Sequence, residues 1–247
     1  MDEESAREAR VPPVVAPPMP GPALVRQGWA GAVFLHWPVD PERVEHLFPA
    51  GTRPDLFDGT AYVGLVAFHV PFTRVLGLSL LGAFDEVNVR LYSVDGQGRR
   101  GVVFLTMDAD SLPAVSAARV VTGLPYLWSD TGLRQRGHGR CAGAVVRRRP
   151  QRRAWGRWSL RAEAGRADPT PLEHFLTARW GLHTPWAEAT RWFRVSHEPW
   201  RLHRATDVSY EGDLLTRAGV VSPRGAPVSA LWSPGVVAEV TPTLAPA

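Results

Sequence analysis

The chain is 247 residues long and 45% hydrophobic, enough for one β-rich domain with a substantial core. Its 28 basic side chains are all arginine, against 24 acidic ones, and a net charge of only +4 speaks against a dedicated nucleic-acid binder and weakly for an anionic ligand. Without lysine, Schiff-base chemistry on a side-chain amine is excluded; with Cys141 alone, so is an intrachain disulfide, and the cytoplasm is the expected compartment.

Residues 1–22 begin MDEESAREAR, too mixed in charge for a secretory signal. They continue with Pro12, Pro13, Pro17, Pro18, Pro20 and Pro22, a density that blocks helices and strand ladders. A disordered tail is expected there, followed by a single domain over 23–243. VRQGWAGAVFLHW reads as a first strand. Asp40-Pro41-Glu42 reads as a helix start, with Asp40 as N-cap and Pro41 at the first helical position, and Pro49 ends that segment. AYVGLVAFHV, residues 61–70, reads as a buried strand. The stretch 71–81 is apolar without a clear period and is expected to be a loop folded over a cavity. The longest apolar run, 75–84, falls far short of the roughly 20 residues a spanning helix needs, so no membrane partner is expected.

The central stretch is AFDEVNVRLYSV. Val87, Val89 and Leu91 alternate with Glu86, Asn88 and Arg90, which places the three polar side chains on one face of a strand. A helix is expected over 111–122, stopped by Gly123 and followed by a fixed corner at Leu124-Pro125-Tyr126. From 137 to 165 a β-type run carries arginines at 147, 148, 149, 152, 153, 157 and 161. This is expected to be a long hairpin whose arginines form a solvated face, with an anion- or nucleic-acid-binding edge as the rival reading. Thr170-Pro171-Leu172-Glu173 is a capping box. Strands at 192–195 and 200–205, a short helix at Leu214-Leu215 and a closing strand through Val228, Ala230 and Trp232 complete a mostly β, α+β domain with three or four short helices.

Six blocks in order, FLHWPVDPERVEHLFP, FDGTAYVGLVAF, FDEVNVRLY, GLPYLWSD, PLEHFLTARWGLHT and HEPWRLHRA, resemble the uncharacterised YqjF-like family, which is grouped with the acetoacetate decarboxylase-like proteins. The resemblance covers about 29–240. It implies a curved sheet or barrel closed around an internal cavity. The decarboxylases use a lysine that follows a proline to form an imine with a keto acid; here Tyr126 follows Pro125. Their acidic residue on the preceding strand has a counterpart in Glu86, and the arginine on the connecting helix in Arg119. A second acidic residue is absent from strand 61–70, which offers Gly64 and Leu65.

Glu86 is thus the candidate general acid or base, its rival role being a salt bridge to Arg90. Tyr126 is the candidate phenol donor to a carbonyl or carboxylate oxygen. Arg119, Arg90 and Asn88 are the candidate ligand-binding residues. The eight histidines show no metal-ligand spacing, and neither a G-x-S-x-G elbow nor a nucleotide-binding glycine motif occurs, so no metal or cofactor is expected. The expected partner is a small carboxylate or carbonyl compound. It is either turned over by non-Schiff-base lyase or isomerase-like chemistry or bound without turnover; nucleic acid is the weaker alternative, and self-association is left open.

Overall fold

The computed structural model describes residues 11–19, 21–148, 153–187, 189–221 and 225–242. Strand β3 (Ala61–Val70) is buried at every position except His69, and a strand covered on one face alone would alternate. Both of its faces are covered because it belongs to a wall shared by two closed rings of strands. In the first ring β3 pairs with β1 (Val25–Val39) on one side and β6 (Phe84–Asp95) on the other. The ring continues through β7 (Arg100–Ala109), β11 (Gly181–Trp186), β12 (Ala189–Ser196) and β14 (Ser229–Pro242), which returns to β1. The second ring leaves β7 for β8 (Tyr126–Arg136), β9 (Arg140–Arg147), β10 (Trp155–Ala162) and β13 (His203–Gly212), and also closes through β14.

The two rings have separate cores. Val63, Leu65 and Ala67 of β3 point into the second ring with Val33, Leu35, Val87, Val89 and Leu91, where they meet Val145, Trp158 and Leu160 of the outer strands. Tyr62, Val66, Phe68 and Val70 point into the first ring, with Phe34, Phe84, Met107 and Tyr126. The seam between β7 and β11 is one parallel pairing, Leu182 with Val102. It is made possible by two glycines: a Cβ on Gly101 would lie 2.6 Å from the Gly181 carbonyl oxygen, and one on Gly181 would lie 2.2 Å from the Trp192 ring.

Of the helices α1 (Pro41–Val44), α2 (Leu112–Thr122), α3 (Pro171–Thr177) and α4 (Leu214–Arg217), the first three start at side-chain caps. Asp40 accepts from the Glu42 amide at 3.1 Å. Thr170 Oγ1 accepts from the Glu173 amide at 3.2 Å while Glu173 accepts from the Thr170 amide at 2.7 Å. Gly123 closes α2 in the left-handed region, φ 72°, which costs glycine least. The amphipathic α3 buries Phe175 and Leu176 at one end of the first ring.

Two expectations need correction, and one strand went unread. Residues 71–81 are not a loop: β4 (Thr73–Val75) and β5 (Leu78–Leu81) form a hairpin that turns at Leu76-Gly77 and pairs with the start of β1. The segment 126–136 is a full strand that hairpins with β9; its polar residues hid it because its far half faces solvent. Part of the expected tail is docked, since the Pro12 carbonyl accepts from His174 at 2.8 Å and the Pro13 carbonyl from Trp180 at 2.7 Å. Proline lacks a donor but keeps its acceptor, and two buried-side donors use it. Residues 1–10 and 149–152 lie outside the described residues. No helix among the described residues is long and apolar enough to cross a membrane.

Candidate functional site

The inward face of β6 carries Glu86, Asn88, Arg90 and Tyr92, successive even positions of one pleat. Each level of the pleat has its own cross-strand neighbours. Glu86 lies between Phe68 and Ala109, Asn88 between Val66 and Met107, and Arg90 between Gly64 and Phe104. His36 of β1 is opposite Gly64 and Ser229 of β14 opposite His36.

Glu86 is 2% exposed. Tyr126 donates its hydroxyl to Glu86 Oε2 at 2.9 Å, and Asn88 donates Nδ2 to Oε1 at 3.3 Å. Burial between apolar neighbours penalises the charged form and pushes the carboxyl up to about 7; the two hydrogen bonds pull it down, and Asp108 adds a smaller upward push. Tyr126 is also fully buried, and burial with the adjacent Glu86 holds its phenol well above the ordinary value of 10.0. It therefore remains a donor at neutral pH. The corner that delivers it is fixed by Gly123 and by the Pro125 carbonyl, which accepts from the Met107 amide at 3.0 Å.

The structure brings Glu86, Asn88 and Tyr126 together and leaves two candidates apart. Arg90 makes no salt bridge to Glu86: residues i and i+4 of one strand are roughly 13 Å apart. Its guanidinium instead donates to the Leu176 carbonyl at 3.3 Å and lies over the rings of Phe34 and Tyr92. Arg119 is exposed on the outer side of α2, because Ala114 and Val115 take the buried face. It reaches only the Tyr126 carbonyl, at 3.5 Å, and lines an open surface groove of about 310 Å³ with Trp128 and Arg147.

Further side chains face inward beside these. Tyr92 continues the Glu86-Asn88-Arg90 alternation by one step, so extending that period would have found it. His36 shares its level with Arg90, and Arg179 packs over the Tyr92 ring at 4.8 Å while pairing with Asp55 at 2.5 Å. Burial, then the positive charge of Arg90 and Arg179, holds His36 well below its ordinary 6.5, so it is neutral. His36 Nε2, Asn88 Oδ1, Arg90 Nε and Tyr92 Oη are buried and have no partner among the described residues.

A Ser93–His183–Asp95 line also exists, with Ser93 Oγ 2.8 Å from His183 Nδ1 and His183 Nε2 3.2 Å from Asp95. Ser93 is 0% exposed, and Arg99 occupies Asp95, so no substrate reaches it. Among the described hairpin arginines, Arg157 pairs with Glu211, Arg161 with Asp207 and Arg148 with Asp130. Arg147 is turned inward to a bidentate bond with Asp108, at 2.8 and 3.0 Å. These pairings take up part of the charge on which a nucleic-acid reading would rest.

A family of uncharacterised conserved proteins, DUF2071, matches residues 26–237. The uncharacterised protein YqjF of Bacillus subtilis (strain 168) is 28% identical over 210 residues, covering 83% of this chain and 86% of that protein. Acetoacetate decarboxylase from Legionella pneumophila subsp. pneumophila str. Philadelphia 1 superposes with a TM-score of 0.60 at 13% identity, over 92% of this chain and 94% of that one. An acetoacetate decarboxylase-like enzyme from Sphingomonas wittichii RW1 gives 0.58 at 14% identity, over 90% and 94%. The enduracididine biosynthesis enzyme MppR complexed with pyruvate gives 0.58 at 17% identity, over 91% of each chain. At such identities the likeness is one of fold, and the curved sheet described above is the acetoacetate decarboxylase-like fold.

Proposed function

The chain belongs to the DUF2071 family of uncharacterised conserved proteins, and from that premise we propose that the first ring is a chamber for a small oxo-acid or related carbonyl compound, on which Glu86 acts as acid and base. The observation that carries this reading is the state of Glu86: a fully enclosed carboxyl pushed up to about 7, bonded to a phenol and an amide and to no cation. A group that titrates near neutrality can take a proton from carbon beside a carbonyl and return it elsewhere with little loss in either direction. Tyr126, held protonated, orients the carboxylate and can turn its hydroxyl to a substrate oxygen. Imine formation by a lysine side chain has no part in this scheme, since the chain has none. The pyruvate carried by the neighbour MppR supports the ligand class.

The test is deuterium exchange at the carbon beside the carbonyl, followed by proton NMR, with a panel of small oxo-acids selected first by thermal shift. Wild type should accelerate exchange of a bound oxo-acid, and Glu86→Gln should lower that rate by roughly 10²-fold or more while binding is retained. Binding without any exchange would make the protein a non-catalytic ligand binder. Exchange unaffected by Glu86→Gln would remove Glu86 from the chemistry.

A further inference from the structure

We propose that the chamber contains an anion subsite at Gly64, where His36, Arg90 and Tyr92 hold the carboxylate of a 4- or 5-oxo-acid whose carbonyl lies toward Glu86 and Tyr126; this rests on the reading of the first ring as the ligand chamber. The three side chains converge on a residue without a side chain. A Cβ placed on Gly64 would lie 2.9 Å from Tyr92 Oη, 3.1 Å from His36 Cδ2 and 3.5 Å from Arg90 Cγ. Glycine here lets a hydroxyl, an imidazole and an arginine stem approach one another over bare backbone.

Each of the three keeps one polar atom that no protein group uses. Tyr92 Oη, His36 Nε2 and Arg90 Nε are buried without a partner among the described residues, although His36 is 0% and Tyr92 1% exposed. Buried polar atoms are nearly always bonded, so three such atoms on side chains that meet over one glycine mark a place for a ligand's acceptors. When the Ser229 hydroxyl, 3.2 Å from His36 Nδ1, donates to that nitrogen, Nε2 carries the ring proton. All three groups then donate. A carboxylate, with two oxygens and only acceptor sites, is the complementary partner.

Charge points the same way. Arg90 donates to a backbone carbonyl and has no carboxylate partner among the described residues. The neighbouring Asp55 already serves two guanidiniums, Arg179 at 2.5 Å and Arg100 at 3.0 Å. Arg90 therefore brings a positive charge that no described carboxylate pairs, which partial burial makes costly until an anion arrives. Arg90 and its cross-strand neighbour Phe104 face inward and are only partly buried.

The length of the ligand follows from the pleat. Glu86 and Arg90 are two levels apart on one face, roughly 13 Å, and a hydrogen bond of about 2.9 Å at each end leaves roughly 7 Å between the ligand's oxygens. A carboxylate separated from its ketone by two or three methylene groups spans that distance; pyruvate does not.

The experiment is isothermal titration of 5-oxohexanoate into the full chain as wild type, Tyr92→Phe and Glu86→Gln, with 2-hexanone and pyruvate as controls. Tyr92→Phe removes an oxygen that no protein group uses, so the ligand-free melting temperature should stay level or rise. Binding of 5-oxohexanoate should weaken about tenfold, as expected for loss of one bond to a charged acceptor. The uncharged 2-hexanone and the short pyruvate should each bind at least tenfold more weakly than 5-oxohexanoate, and Glu86→Gln should bind 5-oxohexanoate much as wild type does. The subsite is overturned if Tyr92→Phe binds 5-oxohexanoate like wild type, if its ligand-free melting temperature falls, or if 2-hexanone binds as well as the acid. Pyruvate binding as tightly as 5-oxohexanoate refutes the assigned length. Should Tyr92→Phe leave binding intact while Glu86→Gln abolishes proton exchange, the chamber stands and the anion subsite falls; no binding of 5-oxohexanoate and no exchange on any oxo-acid would end both.

Discussion

Glu86 makes the stability of the fold depend on pH in a direction opposite to that of most carboxylates. Its ordinary value of 4.5 rises to about 7 in the fold, and at about 1.4 kcal/mol per pH unit the buried charge costs about 3 kcal/mol. Below pH 4.5 the group is protonated in both folded and unfolded chains and costs nothing. Between 4.5 and 7 the unfolded chain ionises while the folded one keeps its proton, so stability falls as pH rises; above 7 the full cost is present. Glu86→Gln is neutral throughout and escapes it. Guanidinium unfolding of both proteins at pH 5, 6, 7 and 8 should therefore show the variant gaining on wild type by about 2.5 kcal/mol from pH 5 to pH 8, since the unfolded carboxyl is already largely ionised at pH 5. The neutral buried histidines, His36, His183 and His197, each lowered mainly by burial, oppose the trend in absolute stability but cancel in the difference. A gap constant to within about 1 kcal/mol would show that the carboxyl is solvated or ion-paired, and the proposed chemistry would lose its basis.

Three further outcomes are expected. Asp108→Asn leaves Arg147 charged and buried without its bidentate partner, which should cost about 3–5 kcal/mol in denaturant unfolding; a loss under about 1 kcal/mol would mean that water already reaches the pair. Removing residues 1–13 should lower the melting temperature by roughly 4 °C or more, because two hydrogen bonds worth about 1 kcal/mol each are lost, whereas an unchanged value would show that the docked carbonyls contribute nothing. Borohydride should trap no keto-acid adduct on the folded domain, and a reduced adduct mapped there by mass spectrometry would contradict a lysine-free mechanism.

Local signals in the sequence located the elements, and a pleat located the site. The alternation through Glu86, Asn88 and Arg90 set the inward face of β6, and Asp40, Gly123 and the Thr170–Glu173 box set helix ends, since each acts within four residues. What remained hidden depends on closure in space. Arg147 and Asp108 are 39 positions apart and meet only when β8 and β9 fold against β7. Arg90 looked like a partner for Glu86 because they are close in sequence, but a strand separates i and i+4 along its length. Arg119 looked inward by analogy, and the helix face taken by Ala114 and Val115 turned it out. His36 gave no motif because its surroundings are set by the bare backbone of Gly64 opposite it.

Both rings depend on β14, the strand latest in the sequence, which pairs with β1 from Val25 with Val240 to His36 with Ser229. Ribosomal synthesis releases β1 some two hundred residues before its partner exists. A nascent chain lacking that partner carries two incomplete barrels, each with an unpaired edge and an uncovered apolar wall, and closing so long a loop is slow. The domain should thus not close until β14 has left the ribosome, and rely on chaperones until then. Ribosome-bound chains stopped before residue 229 should be digested by protease throughout, and full-length released chains should resist it.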